Sequence, residues 1–172
     1  LGRYYAMPVD RAGRTAAVLF LICGTGMILC GMASDRLSRE RPDAKIRLAV
    51  GYCLGSAAAL FLAMQCAPGI GQLALLGLAM FLVAGTTGPA GAMVANLTPL
   101  AIHGTAFATL TLANNLLGLA PGPIITGRLA DSLGLDSTFG LIPLVSLLAA
   151  GVFALARLTY LADLARLHET PQ

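Results

Sequence analysis

Asn114–Gly134, NNLLGLAPGPIITGRLADSLG, is the segment around which the rest of the chain is organised. Two adjacent amides lead into an apolar segment broken by glycine and proline, which leaves through a turn carrying Asp131. Pro121 and Pro123 each remove a backbone donor, and Gly118, Gly122 and Gly127 leave a bare backbone stripe. Inside a bilayer, a helix broken in this way is tolerated only against protein or a water-filled cavity. Asn114 and Asn115 stand one to two turns from the break, where lipid would penalise them. Thr111, Asn115, Gly118, Gly122 and Thr126 recur at spacings of three and four, on one helical stripe with Asn114 beside it. The stretch reads as a helix that faces other helices, and its amides as candidates for substrate contact or for interhelical bonding.

Outward from this segment the chain is apolar in both directions. It is 57% hydrophobic and 11% charged, with no Trp; soluble domains average about one quarter charged. Runs at Thr15–Ala33, Leu48–Ala67, Gln72–Leu97, Thr105–Gly127 and Phe139–Leu161 are long enough to cross a bilayer, which takes about 20 residues. None shows the regular polar face of a soluble amphipathic helix. The expected fold is an all-α membrane protein of five transmembrane helices. Residues 1–14 form the end of a preceding helix and an outside loop, and residues 162–172 a tail. Residues 157–168 read as an interfacial helix.

The charges orient it. Arg36, Arg39, Arg41, Lys45 and Arg47 fall in one loop; with Arg157 and Arg166 they outnumber Arg3, Arg11, Arg14 and Arg128 at the other end. The positive-inside bias then places the amino end outside and the carboxyl end in the cytoplasm, with a plasma (inner) membrane as the expected location. A basic loop beside lipid needs no nucleic-acid partner. Cys23, Cys30, Cys53 and Cys66 all lie in the spans without metal spacing, and Cys23 and Cys30 stand about 10 Å apart on one helix, too far for a bridge. No metal or cofactor is expected. An intramembrane enzyme is a third option without support, since the spans hold no His-Glu-x-x-His, paired membrane aspartates or Ser/His couple.

Small residues recur where helices should meet. Gly24, Gly26 and Gly31 in the first span and the Gly51-x-x-x-Gly55 spacing in the second predict close packing. In the third, Gly85-Thr-Thr-Gly-Pro89-Ala-Gly91 predicts a kink whose freed carbonyls Thr86 or Thr87 can satisfy, with packing and cavity lining both open as its purpose. His103, alone in a short loop, reads as solvated. Gly31-x-x-x-Asp35 and Gly127-x-x-x-Asp131 echo each other at the exits of the first and fourth spans, on opposite sides, as an inverted three-helix repeat would place them. The chain opens on Leu1 and an odd span count does not divide into paired repeats, so the expectation is a piece of a longer protein.

With these residues in view, the chain resembles the carboxyl-terminal half of a major facilitator superfamily transporter, its spans corresponding to helices eight to twelve of that six-plus-six fold. Gly31-Met-Ala-Ser-Asp35-Arg36-Leu-Ser-Arg39 is similar to the second-half loop signature G-x-x-x-D-R-x-G-R, with Ser38 in place of the second Gly. Gly118-x-x-x-Gly122-Pro123 resembles the family's Gly-Pro helix signature, and the run to Asp131 looks most like spinster-type and organic-anion members. The resemblance implies a fragment of a secondary active transporter that moves a small organic solute by alternating access, with a coupled ion carried elsewhere. Its partners would be the lipid bilayer and the missing amino-terminal half. Thr25, Thr86, Thr87, Asn114 and Asn115 would line the substrate cavity, Gly31, Asp35, Arg36 and Arg39 would form the gating loop, and Gly118, Gly122, Pro123 and Gly127 would shape the broken helix. The competing reading is a membrane-embedded structural or assembly subunit that packs through its glycine faces and transports nothing.

Overall fold

The computed structural model describes Tyr5, residues 7–38 and residues 44–169, with the side chains of 136 and 161–169 outside the description. The described residues are nearly all helical, with no strand among them. In chain order come α1 (Val9–Leu37), α2 (Ala44–Gln65), α3 (Ile70–Ala84), α4 (Thr87–Leu97), a 3₁₀ turn (Leu100–Ile102), α5 (His103–Asn114), a π-helical turn (Asn115–Leu119), α6 (Pro121–Leu133) and α7 (Leu135–Glu169).

Four stretches are long and apolar enough to cross a membrane: Val9–Leu37, Ala44–Gln65, Ile70–Leu97 and Ser137–Tyr160. Their surfaces carry the same message. The first and last have mean hydropathies of 2.2 and 2.3, yet only 11% of either apolar window is buried. Phe20, Leu148 and Leu158 all stand exposed. A water-soluble domain could not present such faces, and a bilayer requires them. The chain is an integral membrane protein by length, composition and exposed surface together.

The first and fourth spans differ from expectation, each for a local reason, and the third carries the expected kink. α1 begins at Val9 rather than Thr15: Pro8 leads in, Asp10 sits in the first turn and pairs with Arg14 at 3.7 Å, and Ala12 N–H already bonds Pro8 O at 2.9 Å. The third span is interrupted at Gly85–Thr86, and Thr86 Oγ1 donates to Val83 O at 2.7 Å, as the Gly/Pro run predicts. The fourth predicted span is the larger correction. Residues 105–127 fall across α5, the π turn and α6 instead of one regular α-helix, and among the described residues four stretches have the length and hydropathy of a span where five are expected. Pro121 supplies no N–H and its ring crowds the carbonyl four residues back, at Leu117. The backbone answers by widening: Ala120 N–H reaches Asn115 O, five residues back, at 2.9 Å. Gly134 then ends α6 at φ +84, a left-handed conformation that costs glycine little. α7 runs to Glu169, so residues 157–168 continue the last helix without a break.

α2 is the central element and packs chiefly against α7, antiparallel, and against α3. Its buried face is made of Ile46, Ala49, Cys53, Ser56, Ala59 and Ala63, spaced by three and four, with Ala57 beside them. Without a hydrophobic driving force between helices in lipid, such small side chains permit the close contact that holds them together. Ser56 Oγ and Ser146 Oγ meet at 3.5 Å across the α2–α7 contact. α1 runs parallel to α3 and α4 along a seam of small residues. A methyl group on Gly26 would stand 2.8 Å from Phe81 Cα, one on Gly85 would stand 2.6 Å from Cys30 Cβ, and one on Gly88 3.3 Å from Gly31 Cα.

One polar detail ties α1 to α2. Tyr52 donates to Cys30 O at 3.1 Å. That carbonyl is the one Ser34, four residues on, would ordinarily bond from within the helix, and the buried Ser34 Oγ has no partner among the described residues. Tyr52→Phe should therefore be milder alone than in a Ser34→Ala background, because Ser34 can take over the vacated carbonyl. A double-mutant cycle on unfolding midpoints should return a coupling of about 0.5–1 kcal/mol. Strict additivity would mean that the two hydroxyls do not compete.

Candidate functional site

At the end of the bundle where α1 meets α2, the loop signature is only partly visible. Asp35 pairs with Lys45 in the first turn of α2 at 3.2 Å, with the carboxylate 74% exposed and the ammonium 20% exposed. The link from the end of α1 to α2 is thus made by Asp35 and Lys45. At this exposure it contributes at most about 1 kcal/mol. Ser38 adopts φ −85 and ψ −5, donates its N–H to Ser34 O at 3.0 Å and its hydroxyl to Asp35 O at 3.2 Å. A residue closing the helix in this right-handed way needs no glycine. Gly31 lies in the close backbone contact with Gly88. Arg39 lies outside the described residues.

The five cavity candidates are not enclosed together. Thr25, Thr87, Asn114 and Asn115 are exposed and Thr86 is half-buried. Thr25 Oγ1 donates to Ile22 O at 2.8 Å, so its proton, like that of Thr86, is used within its own helix. Asn114 closes α5 and Asn115 opens the π turn; neither has a side-chain hydrogen bond among the described residues. α5, the π turn and α6 contribute no buried residue. Gly118, Gly122 and Gly127 have open space where a Cβ would stand, and Pro123 is exposed. The broken helix thus lies along one flank of the bundle, touching α4 through Gly91 and Phe107, where a Cβ would come within 3.5 Å, and touching α7 through α6.

Several polar contacts carry no clear signal in the sequence. Gln72, in the first turn of α3, is 1% exposed. Its Nε2 donates to Ala63 O at 3.0 Å and its Oε1 accepts from the Tyr5 hydroxyl. A lone Gln behind a Gly/Pro turn reads as a polar boundary, and only the return of α3 beneath the end of α2 makes it a core residue. Gln72 and Tyr5 line a cavity of about 460 Å³ that is otherwise apolar, with Cys23, Met64, Met80 and Phe139 in its wall. At the opposite end Asn96 donates to Tyr160 at 2.8 Å, fastening α4 to α7. His103, expected in solvent, is half-buried and shares its Nε2 between Thr98 O at 2.8 Å and Ala95 O at 3.1 Å, so it ties the α4–α5 turn. All four cysteines are free thiols, and no group of three or more His, Cys, Asp or Glu among the described residues is placed to hold a metal ion.

Comparison with protein-family models, with curated proteins and with solved structures returned no match.

Proposed function

We propose that this chain is part of a secondary active transporter, built like the carboxyl-terminal half of a major facilitator protein, that moves a small organic solute by alternating access. The observation that carries the reading is the pair Asn114–Asn115, exposed at the π-helical break of a flank with no buried residue. Hydrocarbon cannot satisfy two carboxamides, and each amide left without a partner costs about 1–3 kcal/mol on a protein scale. Such groups persist at membrane depth where water or another protein face meets them. A second half-bundle enclosing a central aqueous cavity supplies both. The Asp35–Lys45 link between α1 and α2 supports a loop that fastens one end of the bundle. The basic end would be cytoplasmic, in a plasma membrane. The apolar character of the flanking positions favours an amphipathic solute.

The competing role is a non-transporting assembly subunit, in which protein covers the same flank permanently. With Cys23, Cys30, Cys53 and Cys66 replaced by alanine, a single Asn115→Cys should react with a membrane-impermeant maleimide in intact membranes. A Leu148→Cys control, on an exposed apolar stretch of α7, should not. Equal protection at both positions would remove the aqueous cavity. In the full transporter, Asn115→Leu should abolish uptake of an amphipathic solute while leaving insertion intact; a scaffold would tolerate it.

A further inference from the structure

Near the basic end of the bundle, the first turns of α2 and the stretch of α7 from Ala154 to Leu158 line a groove of about 520 Å³. Its lining combines two chemistries. Arg47 comes from α2 and Arg157 from α7, while Val50, Ala154 and Leu158 form an alkyl floor between them. Both arginines are exposed, and no carboxylate is among the described lining residues.

We propose that this groove is a docking site for an anionic phospholipid, whose phosphate diester lies between the Arg47 and Arg157 guanidinium groups and whose acyl chain covers Val50, Ala154 and Leu158. Depth selects this occupant. Arg47 is the fourth residue of a membrane-crossing helix, and Arg157 lines the same groove from the antiparallel α7, so both guanidinium groups stand at the level where α2 enters the bilayer. A soluble phosphate or a polyanion would leave the alkyl floor uncovered, whereas a phospholipid satisfies both parts of the lining. Anionic headgroups collect in basic grooves between membrane helices on the positive side. Each arginine already has another interaction. That does not exclude the phosphate, because a guanidinium carries five N–H donors in a fork that matches a phosphate in two-pronged fashion. The site depends only on the membrane placement, and it holds for a transporter and for an assembly subunit alike.

A bound phospholipid here would bridge α2 and α7, whose antiparallel contact is the most extensive in the bundle. Lipid charge would then act on the packing of the central helix.

The test uses the full chain in phosphatidylcholine nanodiscs, with phosphatidylglycerol titrated in and bound lipid read by native mass spectrometry after ejection. Phosphatidylglycerol should be retained on the wild type in preference to phosphatidylcholine. Arg47→Gln and Arg157→Gln should each weaken retention about fivefold, and the pair together about 25-fold, on the scale of a surface charge near an anionic membrane. Arg128→Gln, at the opposite end, should change nothing. Lysine at either position should restore part of the loss, because it keeps the charge without the fork. Three results would overturn the site: equal retention of the two lipids, a loss with Arg128→Gln as large as with the double variant, or full competition by millimolar inorganic phosphate. The last would identify an anion site without a lipid.

Discussion

Gly26→Leu should prevent the bundle from closing, at a cost of about 3 kcal/mol or more, at the upper end of what overpacking produces. Gly26 is buried, and even a methyl group there would run into the Phe81 carbonyl and stand 2.8 Å from its Cα. The obstruction is backbone, so no rotamer change relieves it; α1 and α3 would have to separate, and the neighbouring Cys30–Gly85 and Gly31–Gly88 contacts would open with them. The measurement is the unfolding midpoint in mixed detergent–dodecyl sulfate micelles, with helicity followed by circular dichroism. Gly24 lies two residues away on the same helix, is exposed, and has nothing within 4 Å of the place a methyl group would take. Gly24→Ala should leave the midpoint unchanged or raise it. Equal effects at 24 and 26 would mean that the α1–α3 seam does not form.

Gln72→Leu should be the most costly polar-to-apolar change, at about 1–3 kcal/mol. The Gln72 amide serves two groups at once: it donates to Ala63 O in the last turn of α2 and accepts from Tyr5. Helix-end carbonyls lack an intrahelical partner, and after the substitution Ala63 O keeps only the Cys66 N–H, at 3.3 Å. Tyr5→Phe should cost less, since it frees one acceptor of an amide that keeps its donor bond. Thermal unfolding of the detergent-solubilised protein reads both losses; a Gln72→Leu variant as stable as the wild type would mean that position 72 is hydrated.

Much of the architecture is written locally. Membrane insertion, the order of the crossing helices and the break at Gly85–Pro89 follow from apolar run length and from residues that cannot donate or cannot hold a helix. Pro121 likewise announces a disturbance, although the disturbance proves large enough to divide the fourth predicted span into three pieces. The candidate site is less legible. Asp35 is identifiable as the charged end of α1, but Lys45 as its partner depends on where α2 begins after the loop. Spacing groups Thr111, Asn115 and Gly118 on one stripe without saying what meets that stripe, and the described bundle leaves it open. In water, polarity tells the buried face of a helix from the exposed one; in lipid both faces are apolar and that signal vanishes. Composition and periodicity therefore determined that this chain crosses a membrane as helices, and where they break. Only the tertiary structure decided that Gly26 and Gly85 touch another helix while Gly24, Gly51 and Gly118 do not, and that Gln72 belongs to the core, because close approach of two backbones depends on how the helices cross and not on any one helix alone.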